Sequence, residues 1–190
     1  MPTKIDFKEI KYKHDCLNYF ETGMWDPEVD ISLKRALNID FEKLYCLELL
    51  DKWVDAGTIK FKEHIDNNRL KIIKGDSSNM YKYLNSDDFN NKTLFFLDAH
   101  VDNANIKNYI KRCPLIEELK AIKNLNRKDH VILIDDLRII TTYAWHESSY
   151  GNINMLEECK KIISSINPDY KFEKIWLNGH AENDVLYCYV

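Results

Sequence analysis

Two apolar stretches that end in acidic residues place the strongest constraint on the fold of this chain. Residues 94–100 have the sequence LFFLDAH, and residues 131–138 have the sequence VILIDDLR. Runs of three or four bulky apolar residues predict strands that are buried on both faces. The first run ends at Asp98, with His100 two residues later, and the second ends in two adjacent aspartates. Ligands of open parallel sheets bind outside the carboxyl ends of the strands, so we expect one shared site here.

The rest of the chain alternates predicted strands with predicted helices. Further strands are predicted at residues 16–20, 43–49, 69–74, 171–177 and 185–190, and helices at residues 30–37, 50–65, 79–84, 114–122 and 154–166. This alternation is typical of a doubly wound α/β sheet, here with about seven mostly parallel strands. The short loop between the last two strands predicts an antiparallel C-terminal pair.

Two segments do not fit this alternation. Residues 1–15 form a leader segment, for which the sequence predicts either a short helix or an extended arm. Residues 137–151 have no clean period and carry Tyr143, Trp145 and His146, which is typical of an ordered loop over a site. We expect residues 1–190 to form a single domain, because this length suits one core of ordinary size.

Composition narrows the class of protein. Apolar residues make up 45% of the chain and charged residues 31%, as in globular proteins, and no apolar run approaches the roughly 18 residues of a membrane helix. The first residues lack the apolar core of a signal peptide, so we expect a cytoplasmic protein with no membrane partner. A net charge of -4 and a pI near 5.9 disfavour nucleic acid as a partner. The five cysteines are widely spaced without a CxxC pair, which disfavours a disulfide scaffold or a zinc site.

Seven short motifs follow one another along the chain. They are YFETG at 19–23, LYCLE at 44–48, KGDSS at 74–78, LFFLDAH at 94–100, CPLIEELKAI at 113–122, VILIDD at 131–136 and NDVLYCY at 183–189. Their order resembles that of the class I S-adenosylmethionine (SAM)-dependent methyltransferases, from about residue 16 to residue 190. Within that superfamily the DAH and IDD pair is similar to macrocin-type small-molecule and sugar O-methyltransferases. The resemblance implies a Rossmann-like methyltransferase sheet, SAM as the cofactor, and a sugar or related metabolite as the acceptor.

The resemblance also implies a cofactor site. Its residues lie at four strand ends: Glu21, Gly23, Glu48, Asp76, Ser77 and Asp98. Gly23 follows the first of these strands, where a residue without a side chain lets the backbone turn sharply and approach a ligand. Glu48 is placed to accept charge-assisted hydrogen bonds from two vicinal ribose hydroxyls. The resemblance implies that Asp76 contacts the adenine amino group of the cofactor and that Asp98 lies beside its methionine part. Loop capping is the alternative role for Glu48 and Asp76.

The first loop departs from the pattern of this superfamily. Its members usually carry two or three glycines there, but after Gly23 the chain continues MWDPEVD, with no glycine. Side chains must then occupy space where backbone normally packs against the cofactor. The departure favours a second hypothesis, in which a degenerate methyltransferase fold serves as a binding or scaffold protein.

The acidic strand ends also predict a metal site. Asp98, Asp135 and Asp136 form the predicted ligand set for Mg²⁺ or another divalent cation, because hard cations take oxygen ligands. Alternatively, one of the paired aspartates caps a loop and the other pairs with Arg138. Asp98 and His100 are the candidate catalytic residues, with His100 as a general base for an acceptor hydroxyl. A histidine that fixes the loop by hydrogen bonds is the alternative.

The predicted function is therefore methyl transfer from SAM to an oxygen of a small polar acceptor, with metal support as an open question. A nicotinamide-dependent oxidoreductase is disfavoured, because GxGxxG does not follow the first predicted strand. A metal-dependent hydrolase that uses Asp98, His100 and Asp135 also stays open, and it would need no SAM. The sequence allows a homo-oligomer but does not specify one.

Overall fold

A computed structural model describes residues 4–29, 31–84, 87–101, 109–142 and 147–190 of the chain. Within these residues the strands are β1 (Lys4–Ile5), β2 (Asn18–Thr22), β3 (Lys43–Glu48), β4 (Leu70–Lys74), β5 (Thr93–Leu97), β6 (Val131–Ile134), β7 (Lys171–Leu177) and β8 (Val185–Tyr189). They form one sheet in the order β1-β7-β8-β6-β5-β2-β3-β4. The pairs are parallel except those that β8 makes with β6 and with β7. The predicted doubly wound sheet with an antiparallel C-terminal pair is confirmed.

The centre of the sheet is the pair β2 and β5, in which Phe20 lies opposite Phe95. From this pair the chain proceeds outward in two directions, through β3 to β4 on one side and to β6 on the other. Such a reversal opens a crevice at the carboxyl ends of the two central strands. The acid-ending strands predicted from the sequence meet at this crevice.

Helices cover both faces of the sheet. They are α1 (Phe7–His14), α2 (Ser32–Leu37), α3 (Asp51–Lys60), α4 (Lys62–Asp66), α5 (Leu115–Lys123), α6 (Leu137–Thr142), α7 (Glu147–Tyr150) and α8 (Met155–Ile166), with short 3-10 helices at Ser77–Lys82 and Asp88–Asn90. Successive strand residues point to opposite faces, so Phe95 packs with α5 and α8 while Phe96 packs with α1 and α2. The central strands are therefore buried on both sides, as their apolar sequence predicts.

The leader segment contains both of the structures that the sequence left open. β1 adds a short parallel strand beside β7, and α1 follows it. The helix begins with a capping box, in which Asp6 accepts from the Glu9 amide and Glu9 accepts from the Asp6 amide. Phe7 and Ile10 are buried against the sheet. Residues 4–14 are thus an integral part of this core.

Two predicted segments differ from the structure. The single helix predicted at residues 50–65 is divided at Phe61 into α3 and α4, because Phe61 leaves the helical path and packs into the core. Residues 137–151 were predicted to be a loop, but they include α6 and α7. Leu137 and Ile140, three positions apart, are both buried, and this spacing is a helical signal that the loop prediction missed. Tyr143, Trp145 and His146 lie outside the described residues.

In the part of the chain that the structure describes, no helix has both the length and the apolar character needed to cross a membrane.

Candidate functional site

A cavity of about 800 Å³ opens at the carboxyl ends of β2, β3, β4, β5 and β6. Its volume lies in the range of cavities that bind small molecules and cofactors. Every residue that the sequence predicted for the site lines it: Glu21, Gly23, Glu48, Asp76, Ser77, Asp98, His100, Asp135 and Asp136. The topology therefore brings together side chains that are up to 115 residues apart in sequence, from Glu21 to Asp136.

Gly23 makes the sharp turn that the sequence predicts. Its φ is +82°, and a Cβ at this position would lie 2.8 Å from the carbonyl oxygen of Asp98. Its amide donates to the carbonyl of Leu47 at 2.9 Å. The glycine thus permits the loop after β2 to pass against the ends of β3 and β5, so the close approach seen here is between two backbone segments.

Glu48 ends β3 and turns its carboxylate toward the loop after β2. Its Oε2 accepts from the amides of Met24 at 2.8 Å and Trp25 at 3.1 Å, and its Oε1 accepts from the amide of Leu50 at 2.8 Å. The side chain is buried yet lines the cavity. Loop capping, the alternative role, is therefore present in the structure, while the ribose role stays a prediction.

Glu21 occupies the end of β2 in a fully buried position. It accepts a hydrogen bond of 2.6 Å from the Tyr19 hydroxyl. Burial raises the pKa of Glu21 to about 8, the Tyr19 bond opposes the shift, and the nearby carboxylates of Glu48 and Asp135 add to it. A carboxyl group in this state exchanges its proton near neutral pH.

Asp76 and Ser77 lie just after β4. Asp76 caps the following 3-10 helix by accepting from the Ser78 amide at 2.8 Å, and its other oxygen accepts from the Ile110 amide at 2.6 Å. Ser77 is buried and hydrogen bonds with Glu118. The two residues thus link the end of β4 to residues that follow β5.

Glu118 on α5 is a buried acid that was not among the predicted site residues. Burial raises its pKa to about 7, and hydrogen bonds with Ser77 and Thr22 oppose the shift. Its Oε1 has no hydrogen-bond partner among the described residues. The position of Glu118 within an amphipathic helix gave no signal, because an acid in the first turn of a helix is usually exposed.

Asp98, His100 and Asp136 form a cluster at the ends of β5 and β6. His100 Nε2 lies 2.8 Å from Asp136 Oδ2, and its Nδ1 lies 3.7 Å from Asp98 Oδ1. Burial and the carboxylates of Asp135 and Asp136 raise the pKa of Asp98 well above its usual value. Burial opposes the shift at Asp136, but the hydrogen bond and charge of His100 and the charge of Arg138 lower its pKa. The imidazole of His100 therefore lies between Asp98, whose pKa is raised, and Asp136, whose pKa is lowered.

Asp135 faces a different histidine. Its Oδ2 lies 2.6 Å from His180 Nδ1, and its Oδ1 accepts from the Asp136 amide at 2.8 Å. His180 Nε2 lies 3.5 Å from the Ser32 hydroxyl, and all three side chains line the cavity. His180 is not among the residues that the sequence predicted for the site. The turn at residues 178–179 was a usable signal, since it returns an antiparallel strand from the carboxyl edge of the sheet.

The predicted metal ligands are divided between two groups that share Asp136. Ligand atoms of Asp98, His100 and Asp136 lie within 4.8 Å of one another, as do those of Asp135, Asp136 and Asp184. Asp136 has a left-handed φ of +56°, which turns the chain out of β6. Its side chain contacts His100, whereas that of Asp135 contacts His180. Arg138 Nη1 lies 2.7 Å from Asp136 Oδ1 and also contacts Asp184, so the pairing with Arg138 given as the alternative is also present.

Comparison with known proteins addresses the fold. No protein-family model and no curated protein sequence matches the chain. Solved structures do match, and those compared in detail have sequence identities of 12–16% to this chain. TomG from Streptomyces achromogenes, an O-methyltransferase solved with SAM, aligns at a TM-score of 0.56 over 95% of this chain and 76% of its own, at 12% identity. The chain has the fold of the class I SAM-dependent methyltransferases.

Two further structures support the same fold. MycE, a methyltransferase of the mycinamycin pathway solved with Mg, SAH and mycinamycin VI, has a TM-score of 0.54 at 13% identity over 94% of this chain and 46% of its own. Spermidine synthase from Thermotoga maritima has a TM-score of 0.52 at 13% identity over 92% of this chain and 52% of its own. The chain thus spans about half the length of these two proteins.

Proposed function

We propose that this protein transfers a methyl group from SAM to an oxygen of a small polar acceptor such as a sugar. The observation that carries the proposal is the cavity of about 800 Å³ at the switch between β2 and β5, with Glu21, Asp76 and Asp98 in its wall. In this fold, neighbours such as TomG were solved with SAM. The cavity volume and the acids in its wall are compatible with a nucleoside that carries hydroxyl and ammonium groups.

The residues fit the parts of such a cofactor as follows. Asp76 and Ser77 would hold the adenine end, and Gly23 and Asp98 would lie along the amino acid end. Bound SAM supplies an electrophilic methyl group on a positively charged sulfur. The chain's own contribution is to align the acceptor oxygen with that group and to exclude water from the cavity.

The acceptor hydroxyl needs a base, and two side chains qualify. Asp98 has a raised pKa, so its carboxylate takes up a proton more readily than an ordinary aspartate. Asp136 accepts from Nε2 of His100, which favours the tautomer whose Nδ1 can receive a proton. Of the two metal groups, the one with Asp98, His100 and Asp136 could hold a divalent cation, which would lower the pKa of a bound hydroxyl.

Calorimetric titration with S-adenosylhomocysteine (SAH) tests the proposed cofactor. We expect binding in the micromolar range, an affinity at least about tenfold weaker in Asp76→Ala, and an unchanged affinity in the exposed control Asp66→Ala. An absence of binding up to millimolar SAH would contradict the proposal.

Titration with Mn²⁺, followed by electron paramagnetic resonance, tests the proposed metal site. Asp98→Asn should weaken Mn²⁺ binding about tenfold or more, and an unchanged affinity contradicts the metal site.

A binding or scaffold role is the second candidate function. The observation that favours it is that Glu48 is engaged with the amides of the loop after β2. Under this alternative the cavity binds no SAH, and Glu48→Ala changes neither ligand binding nor any methyl transfer. SAH binding with the Asp76 dependence stated above therefore distinguishes the two functions.

A further inference from the structure

Three backbone amides converge on the carboxylate of Glu48. They belong to Met24 and Trp25 in the loop after β2 and to Leu50 at the start of α3. The side chain is 4% exposed, so these bonds are largely shielded from water. Hydrogen bonds from amides to a buried carboxylate are among the stronger ones in proteins.

The number of acceptor sites on a carboxylate limits what else Glu48 can bind. Each oxygen accepts about two hydrogen bonds, which gives about four in all. Oε2 already accepts two, from Met24 and Trp25, and Oε1 accepts one, from Leu50. One further acceptor position remains, and it belongs to Oε1.

The loop itself depends on these bonds. Trp25 has a φ of +59°, a left-handed conformation that a bulky side chain rarely adopts, and the residue is 63% exposed. Met24 is buried next to Gly57, where an added Cβ would lie 2.5 Å from its terminal methyl group. The loop thus has bulky residues where its backbone turns, and the carboxylate of Glu48 holds it by binding two consecutive amides.

We propose that Glu48 is a latch that stays on the Met24 and Trp25 amides when a ligand enters, so that it accepts at most one ribose hydroxyl. The proposal rests on the proposed function, because it assumes that the ligand is a nucleoside such as SAH. The ligand can reach only Oε1, and the second hydroxyl of its ribose makes no bond to Glu48.

Hydrogen exchange, measured in the wild-type protein and in Glu48→Ala, tests the latch. In the wild-type protein the Met24 and Trp25 amides should exchange at least about tenfold more slowly than exposed amides, and saturating SAH should not accelerate them. The Gly23 amide, which donates to Leu47, serves as an internal control. In Glu48→Ala the Met24 and Trp25 amides should exchange at least about tenfold faster while the Gly23 amide stays protected. Faster exchange of Met24 and Trp25 on SAH binding, or no protection in the free protein, would overturn the latch.

Binding of SAH and its 2′-deoxy and 3′-deoxy analogues tests the single hydroxyl. For each analogue, the loss in affinity relative to SAH is measured in the wild-type protein and again in Glu48→Ala. A loss that Glu48 causes is present in the wild type and absent in the variant, and we expect such a loss, of about tenfold, for no more than one analogue. If both analogues show a loss in the wild type and neither does in Glu48→Ala, then Glu48 holds both hydroxyls and the proposal is wrong. If SAH itself does not bind, the proposed cofactor fails, whereas unprotected Met24 and Trp25 amides in the free protein would overturn the latch alone.

Discussion

The charge of Glu21 is costly to the folded protein. Its side chain is 1% exposed, and burial is the main reason that its pKa rises from 4.5 to about 8. Between those two values the folded protein binds a proton that the unfolded chain releases. Stability therefore falls as pH rises through this window. Glu118 and Asp98 contribute in the same direction, since burial raises the pKa of both.

Glu21→Gln should remove the part of this pH dependence that belongs to Glu21. The amide keeps an acceptor for the Tyr19 hydroxyl and carries no charge. We expect the variant to gain stability relative to the wild type as pH rises from 5 to 9, by on the order of a few kcal/mol. Urea unfolding across this pH range measures the effect. A difference in the free energy of unfolding that stays constant over the whole pH range would show that folding does not raise the pKa of Glu21.

At the residue scale, the sequence indicates which side chains lie at strand ends, while their roles stay predictions. Asp98, Asp135 and Asp136 line the cavity because buried strands stop at them. Their partners were harder to predict. The sequence does not reveal that Asp135 faces His180, because that pair depends on the path of the β7–β8 hairpin. Glu118 was also missed, because its burial depends on how α5 packs in the folded protein and not on its local sequence.

The loop after β2 is the element whose geometry the cavity depends on. Gly23→Ala would place a Cβ 2.8 Å from the Asp98 carbonyl at a φ of +82°, so both strain and contact oppose it. We expect a loss of about 2–4 kcal/mol in the free energy of unfolding. Gly151→Ala is a matched control, because its φ is +73° and no atom lies within 4 Å of the added Cβ. That control should lose only about 1 kcal/mol, from strain alone.

Denaturant unfolding of both glycine variants separates these two contributions. Equal losses would mean that the approach of Gly23 to Asp98 contributes nothing to stability. A larger loss in Gly23→Ala supports the close contact between the ends of β2 and β5.

Strands were easier to predict than helices in this chain. All seven predicted strands are present, because apolar runs bounded by polar residues are a local signal. The break between α3 and α4 depends on Phe61 turning into the core, which is a tertiary contact. α6 was missed because it has six residues, so the spacing of Leu137 and Ile140 occurs once and does not repeat. β1 consists of two residues and forms only by pairing with β7.

At the scale of the whole molecule, the leader segment is part of the core. Phe7 is 3% exposed and contacts Tyr19 and Phe96 edge-on, at ring distances of 5.5 and 5.3 Å. Phe7→Ala should cost about 3–5 kcal/mol of stability by leaving a cavity between α1 and the sheet. Lys8→Ala on the exposed side of α1 should change stability by less than about 0.5 kcal/mol. Thermal unfolding of the two variants checks this, and a small loss in Phe7→Ala would show that the leader is not needed for the core.

The crevice between β2 and β5 is the proposed SAM site. A crystal structure of the protein with SAH tests it most directly. We predict density for SAH in the cavity, with the adenine beside Asp76, the homocysteine beside Gly23 and Asp98, and Glu48 still bound to the Met24 and Trp25 amides. Crystals grown or soaked with millimolar SAH that show an unchanged cavity, or SAH bound elsewhere on the protein, would contradict the claim.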